Sequence, residues 1–582
     1  MEGALVIGQG RFQAALLIEP KPEAKATILE EVWSLVQKAN SLVPGQGRVT
    51  RDKILLCTSD KSLPRAAKGT IIRKVAERAY RHEIEALYKA KQASVPMASV
   101  SLRATFELSA IKDFVRSIIK SSSVASSDIT DEQDFYAYGL DSLGTVEITS
   151  LLRAGLKSYR SSSDVSWIGA RTIYENPSIK KLATVLSEFL NAGTIPTLPD
   201  CSDEISSLTK KYTPNIQPTP SDGTGIDDPN SLRLTMIGAT GNLGSHLLDA
   251  LLQDSRISQV YCLSRTKPSV ESPKMEFHEV DYEKSTLGLK IFTIEQISRN
   301  SDMIILNAWK TDFNQSLQSF ESNLRSLSDL VQTVSQSQNR PRIIFMSSAA
   351  AAARWGRVHN NRTTVPEAPL KPEFDNPSLA MGYAQSKLDG ERILTQVAKL
   401  YNIPVTILRI GQIAGPSTSD SKSSWPIHEW FPTAIKTSKA IGILPQLGQI
   451  DWIPIDRFVS AFVEILHHQT TLEPFVEATY NIVNPQPIPW DSIVEPILEH
   501  FAPGAQVVSL SEWLEKVNAL GSSQDGSVDI KILDFLGLYD EAITNSTLEF
   551  HTEKFKAASK TSSLSNPISK EMMKIWMNQW GS

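Results

Sequence analysis

The sequence predicts a multidomain protein of three folded parts in series. They are a small α+β unit, a short four-helix bundle, and a doubly wound parallel α/β domain with a smaller C-terminal lobe. Three observations carry this expectation. The chain has 582 residues, too many for one hydrophobic core. Residues 105–192 show only helical periodicity. From residue 232 onward, short apolar strands alternate with helical stretches, the rhythm of a parallel sheet covered by helices.

Residues 1–92 open with two strands, ALVIG and QAALLIEP, joined by a GQGR turn. A helix over about 24–40, the strand KILLCT and a basic helix from about Ile71 follow. In the next part, FELSAIKDFVRSIIK places Phe106, Ile111, Phe114, Val115, Ile118 and Ile119 near the 3.6-residue period. The last helix, PSIKKLATVLSEFL, has Pro177 near its start, where a missing N–H is harmless. A four-helix bundle is the natural closed solution. Residues 193–231 are dominated by Pro, Gly, Ser, Thr and Asp and predict a linker, with a flexible reach of about 30–40 Å. In 232–582, VYCLSR, MIILNA, RIIFMSS and VTILRI predict buried strands, and beyond about 416 the pattern loosens into a smaller, mostly helical lobe.

Composition narrows the function. A net charge of −5 argues against general nucleic-acid binding. Cys57, Cys201 and Cys262 form no C-x-x-C pair, so neither a zinc cage nor a disulfide framework is legible, and a reducing cytoplasm fits. No run of 18 apolar residues predicts a membrane span, and Arg11 interrupts the first apolar stretch, unlike a signal peptide. His467 and His468 have no third ligand at metal spacing and read as helix-surface residues, so no metal is expected. Trp309, Trp425, Trp430 and Trp452 read as packing aromatics, with an acyl pocket as the alternative. LSNPISKEMMKIWMNQW predicts an amphipathic packing helix.

The strongest local signal is RLTMIGATGNLGSHLLDALL, a strand, a glycine turn and a helix. Gly238, Gly241 and Gly244 let backbone approach a pyrophosphate, and the helix start offers unpaired N–H groups. Thr240, Asn242 and Leu243 complete the candidate cofactor turn. The next strand ends in Ser264-Arg265 where an NAD site wants an acid, and a guanidinium suits a 2′-phosphate, so NADPH is favoured. Asp281 either accepts a hydrogen bond from adenine or is a turn residue.

MGYAQSKLDGERIL carries Tyr383 and Lys387 on one helical face. A lysine there can hold the nicotinamide ribose and lower the tyrosine pKa, making the phenol a proton donor. RIIFMSSAA ends a strand with Ser347 and Ser348, whose hydroxyls can bond a reacting carbonyl oxygen. Ser348 is the first choice and Ser347 stays open. Glycine turn, serine-ended strand and Y-x-x-x-K, in that order, resemble the extended short-chain dehydrogenase/reductase superfamily, a Rossmann-type fold.

DFYAYGLDSLGTVEITSLL sets Ser142 at a helix start and resembles the attachment site of acyl and peptidyl carrier domains. The resemblance implies 4′-phosphopantetheine on Ser142. The alternative for Ser142 is a plain N-cap. Residues 1–92 resemble the mobile C-terminal subdomain of adenylate-forming enzymes. The matching stretch is LPRAAKGTIIRK, in which Lys68 precedes Gly69 instead of following it, so Lys68 either serves the acyl-adenylate or has lost that role. The large acid-activating subdomain of such enzymes is not in this sequence.

The order of adenylation subdomain, carrier and reductase resembles fungal nonribosomal-peptide-synthetase-like adenylate-forming reductases, with carboxylic acid and α-aminoadipate reductases. This resemblance implies reduction of a carrier-bound acyl thioester by NADPH, with Ser348, Tyr383 and Lys387 catalytic and Tyr383 and Lys387 also touching cofactor. It implies release of an aldehyde or an alcohol. It also implies a phosphopantetheinyl transferase, and an adenylation domain acting in cis or in trans. The alternative is a carrier with a redox-inactive release or docking domain.

Overall fold

A computed structural model describes residues 2–7, 14–21, 28–40, 49, 51–58, 61–66, 68–89, 107–121, 129–136, 140, 142–159, 165, 167–192, 202–216, 226, 228–313, 315–337, 339–359, 364–370, 376–378, 381–421, 423–472, 477–521, 536, 548–563 and 566–581. The chain divides into two compact units, residues 1–197 with 515–534, and residues 198–514 with 535–582.

In the first unit, β1 (Gly3–Ile7) pairs antiparallel with β2 (Ala15–Glu19). After α1 (Ile28–Asn40), β3 (Ile54–Leu56) joins β2 in parallel. Successive side chains of β2 point to opposite faces, so Leu17 enters one small core with Leu5, Ala76 and Tyr80, while Ile18 enters another with Val32, Val36 and Ile54. The basic stretch after Ile71 forms two helices, α2 (Arg73–Ala79) and α3 (Arg81–Lys89). The helical part comprises α4 (Leu108–Ser121), α5 (Ser142–Tyr159), α6 (Ala170–Glu175) and α7 (Ile179–Ala192) around one core. Ile111, Phe114, Val115, Ile118 and Ile119 enter that core as their spacing predicts; Phe106 lies outside the described residues.

The second unit begins earlier than the composition suggests. Residues 202–212 of the expected linker form a helix, α8 (Ser202–Tyr212). Ile205, Leu208 and Ile216 join the core of the α/β domain, and Tyr212 donates to Glu321 at 2.6 Å. Turn-forming composition on both sides masks an eleven-residue amphipathic helix that becomes stable only when its apolar face is covered.

The α/β domain then runs β4 (Leu232–Ile237), α9 (Asn242–Gln253), β5 (Ile257–Ser264), β6 (Met275–Glu279), α10 (Ile291–Asn300), β7 (Met303–Leu306), α11 (Glu321–Gln336) and β8 (Arg342–Ser348). It continues through α12 (Trp355–Val358), β9 (Thr364–Val365), α13 (Gly382–Tyr401) and β10 (Val405–Ile410). Beyond these come β11 (Ile413–Ala414), α14 (Trp430–Ile441), β12 (Ile443–Pro445), β13 (Gln449–Ile450), β14 (Ile453–Pro454), α15 (Ile455–Gln469) and β15 (Ala478–Ile482). Seven strands make one parallel sheet in the order β15-β10-β8-β7-β4-β5-β6. The order reverses between β4 and β7, which opens a crevice at the strands' C-terminal ends.

Among the described residues the lobe past 416 is mostly helical, and it also holds short strands. β15 returns to the main sheet, α15 covers α9, and short strand pairs lie among the lobe helices. Strands of two or three residues leave no period in a sequence. The tryptophans pack as expected. Trp425, Trp452, Trp490 and Trp576 are buried, with Trp425 5.6 Å from Trp452 and 4.9 Å from Trp576. The helix Lys570–Gly581 supplies Trp576 to this core. His467 is not a surface residue. Its side chain is 11% exposed and its Nε2 lies 2.7 Å from Asp254.

α13 is the most enclosed helix of the domain. Leu388, Ile393, Leu394 and Val397 are fully buried, each contributing about 1.5–3 kcal/mol. Its Asp389 faces α8 and accepts a hydrogen bond from the Thr209 hydroxyl. Burial pushes this carboxyl up to about 8. A folded-state value above the unfolded one, near 3.9, gives a contribution that is full below about pH 4 and lost as pH rises through about 8. The hydrogen-exchange protection of α8 amides is therefore expected to fall between about pH 4 and 8, and Asp389→Asn is expected to flatten that slope.

Candidate active site

The glycine turn sits at the crevice. Gly238 follows β4 with φ +95°, and a Cβ there would lie 2.6 Å from the Ala308 nitrogen. A Cβ on Gly244 would lie 2.2 Å from the Gly238 carbonyl oxygen. These two glycines let turn, helix and β7 loop close on one another. Gly241 is different: it caps α9 from an extended conformation, and a Cβ there would meet nothing within 4 Å. The N-terminus of α9 is thus left bare, with its unpaired N–H groups and positive dipole end available to an anion. Thr240 and Asn242 are exposed beside it and Leu243 is half-buried.

Two polar groups hold the turn from behind. Ser264 Oγ accepts from the Ala239 N–H at 3.0 Å, and Asn307 Nδ2 donates to the Gly238 carbonyl at 2.7 Å. Asn307 was not singled out by sequence, since one asparagine at a strand end carries no pattern. Arg265 is exposed just past β5, its guanidinium carbon 5.8 Å from the Tyr282 ring centre. Asp281 accepts from the Glu283 N–H at 3.1 Å and pairs with Lys284 at 3.2 Å, the bonding of a turn residue.

The second half of the site comes from β8 and α13. Tyr383 is the second residue of α13. The ring of Phe313 meets it edge-on at 5.0 Å and Phe320 lies 6.3 Å away. Ser348 is the polar neighbour that acts on Tyr383, and its Oγ accepts from the Ala350 N–H at 3.2 Å. Part of the Tyr383 side chain stays exposed, yet burial of its surroundings pushes the phenol up to about 12, against the pull of Ser348.

Lys387 lies one turn further on, 3% exposed. Its Nζ donates to the Met346 carbonyl at 2.6 Å and sits 4.5 Å from the Trp309 ring and 4.9 Å from Phe345. Burial draws this ammonium down to about 7, with Glu391 opposing the fall. Ser347 is directed at α13 as well, one turn past Lys387, and donates to Glu391 at 2.5 Å. Ser348, at the strand end, is the serine that acts on Tyr383. The two halves of the site are joined through Ala308, which Gly238 approaches, and Trp309, which covers Lys387.

Ser142 is the first residue of α5; Asp141 and residues 137–139 lie outside the described residues. Lys68 is exposed on a small hairpin closed by the Arg65–Ile71 bridge, with Gly69 at φ +81°. Among the described residues no group of three potential metal ligands occurs, and no helix is long and apolar enough to cross a membrane.

Comparison with known proteins agrees with this division. Residues 1–92 match the AMP-binding enzyme C-terminal domain, 110–186 the phosphopantetheine attachment site, and 234–482 the NAD dependent epimerase/dehydratase family. A carboxylic acid reductase of Neurospora crassa is 30% identical over 99% of this chain and 57% of its own length. Adenylate-forming reductase Nps11 of Serpula lacrymans is 28% identical over all of this chain and 57% of its own.

In sequence and domain order the chain is similar to the fungal adenylate-forming reductases.

Within that family plan, the chain spans a little over half the length of the curated relatives it matches. Among solved structures, a thiolation-reductase di-domain from an archaeal nonribosomal peptide synthetase covers 83% of this chain and 99% of its own, with TM-score 0.53 and 15% identity. The terminal R domain of the myxalamid pathway covers 65% of this chain and 97% of its own, with TM-score 0.54 and 20% identity. Both likenesses are of fold. The family's carrier domain is one that bears phosphopantetheine, and its α/β domain is of the NAD(P)-using kind.

Gly244→Ala is expected to lower stability by about 1–3 kcal/mol in urea denaturation, because the added carbon strikes backbone. Gly241→Ala is expected to leave stability within about 0.5 kcal/mol. It should instead weaken dinucleotide binding roughly tenfold in a fluorescence titration.

Proposed function

We propose that the C-terminal domain reduces an acyl thioester, carried by phosphopantetheine on Ser142, to an aldehyde at the expense of NADPH. The observation that carries this is Tyr383 with Ser348 as its polar neighbour and Lys387 one helical turn behind, beside a glycine turn whose helix N-terminus is bare. The turn residues Gly238, Thr240, Gly241, Asn242, Leu243 and Gly244 would hold the pyrophosphate. Arg265 would take the 2′-phosphate, and Asp281 flanks the adenine end. When bound, NADPH supplies the hydride.

The chain's own residues do the rest. Ser348 and Tyr383 hydrogen-bond the thioester carbonyl oxygen and stabilise the charge it gains. The Tyr383 O–H transfers its proton to that oxygen, and the carbon–sulfur bond then breaks, returning the thiol of the carrier arm and leaving the aldehyde. A phenol at about 12 is a poor donor by itself. Ser348 opposes that rise, and the N–H groups of Lys387 would reach the ribose. Tethering on Ser142 replaces diffusion with a high local concentration of acyl group.

The carrier needs a phosphopantetheinyl transferase and an acid-activating domain, in cis or in trans, and Lys68 would act with that domain. A cytoplasmic setting suits the free, buried Cys57 and Cys262. A redox-inactive release domain is disfavoured by the assembled Ser348, Tyr383 and Lys387.

With Ser142 loaded by a promiscuous phosphopantetheinyl transferase and an acyl-pantetheine, NADPH absorbance should fall. Tyr383→Phe is expected to slow this by about 10²-fold or more. Loss of the acyl chain with no NADPH oxidation would instead support the redox-inactive alternative. Arg265→Ala is expected to weaken NADPH about 10–100-fold and NADH by less than about threefold, measured by titration. Equal losses would place the 2′-phosphate elsewhere.

A further inference from the structure

We propose that Glu391 is a positioning residue for this reaction: its buried carboxylate holds Lys387 as an ammonium and keeps Ser347 out of the crevice, leaving Ser348 alone beside Tyr383. The inference rests on the reductive function proposed above. Nothing in Y-x-x-x-K assigns it.

The geometry is that of a relay along one helical face. Tyr383, Lys387 and Glu391 are spaced by four residues and stack down one side of α13. Glu391 accepts from Ser347 Oγ at 2.5 Å, and from Arg409 Nε at 3.0 Å and Nη2 at 2.8 Å. Glu391 is 1% exposed and Arg409 0%. Arg409 Nη1 also donates to the Pro366 carbonyl at 3.1 Å, and Nη2 to that of Ala368 at 2.8 Å. The carboxylate is thus fixed one turn below Lys387, where water cannot screen it.

The charges around Lys387 are few. α13 itself presents the Tyr383 phenol and the Glu391 carboxylate. β8 presents the Met346 carbonyl and no charge, and β10 presents Arg409 behind Glu391. Glu477, before β15, adjoins the Glu391–Arg409 pair and faces Lys399. The loop after β7 presents the Trp309 ring, while Lys310 beside it is turned to Glu283 at 3.0 Å. Asp389 and Arg392 lie on the α8 side of α13, with Asp389 bonded to Thr209. Glu391 is the carboxylate that acts on Lys387, opposing the burial that draws the ammonium down to about 7. At that value the cation is lost as pH rises through neutrality, so a neighbouring negative charge decides how much of it survives there.

The test titrates Lys387 in the full chain by trace acetylation with acetic anhydride across pH, read by mass spectrometry. Glu391→Gln is expected to move the Lys387 midpoint down by about one pH unit or more. Arg409→Gln, which leaves the carboxylate facing Lys387 alone, is expected to move it up. Ser347→Ala, which removes a hydrogen bond and no charge, is expected to leave it in place. A merely structural role would move the first two in the same direction or not at all, and either result in a folded variant overturns the proposal. If one variant fails to fold, the sign of the other decides. The alkaline limb of NADPH oxidation should move with the labelling midpoint. The labelling result stands even if the wild-type chain oxidises no NADPH, so failure of the reductive function and failure of this inference are distinguishable.

Discussion

The domain is organised around a carboxylate and a guanidinium that meet in the dry layer between α13 and the sheet. Glu391 and Arg409 are together almost fully enclosed, and every donor that Arg409 aims at this layer has an acceptor. Such a pair contributes little net stability, because desolvating two charges costs about as much as their attraction returns. Breaking it by losing one partner costs about 3–5 kcal/mol, so the pair acts as a constraint on register. It fixes how far α13 is slid and rotated against β8 and β10. That in turn sets Tyr383 against Ser348 and Lys387 beneath Trp309. A second buried carboxylate, Glu367, extends the constraint. It accepts from the Asn481 and Phe555 N–H groups at 3.2 and 3.0 Å, tying β15 and the segment near 555 to the same layer.

The dinucleotide crevice is built by a different means, close approach of backbone. Gly238 and Gly244 admit contacts that any side chain would block, and Gly241 leaves the α9 N-terminus uncovered. Helix dipole and unpaired N–H groups then make an anion site without a charged side chain. The face around Tyr383 and Lys387 is the opposite, a dry surround in which a phenol and an ammonium are each perturbed by burial, to about 12 and about 7. The sheet reconciles the two by placing the bare helix end and the enclosed Tyr383 face at the same strand ends, with Ala308 and Trp309 between them.

Ahead of this domain, the helical carrier and the residues 1–92 each have their own apolar core. A separate core lets a module keep its shape while its position changes, as a carrier serving more than one partner requires. The docking of α8 through Ile205, Leu208 and Asp389 leaves residues 193–201 between α7 and α8.

Much of this was legible in the sequence. Periodicity marked the carrier helices and the sheet strands, because burial of one face repeats along the chain. The glycine spacing marked the tight turn after β4, and the four-residue interval put Tyr383 and Lys387 on one face. Those are local regularities, and local sequence determines them. The choice between Ser347 and Ser348 was open in RIIFMSS, since nothing local says that the Ser347 hydroxyl is taken up by Glu391. Asn307 and Glu391 carried no pattern of their own, and α8 was hidden among turn-forming residues. Their partners lie far along the chain, at Gly238, Arg409 and Asp389, and only the packing of α13 and α8 on the sheet brings them within bonding distance.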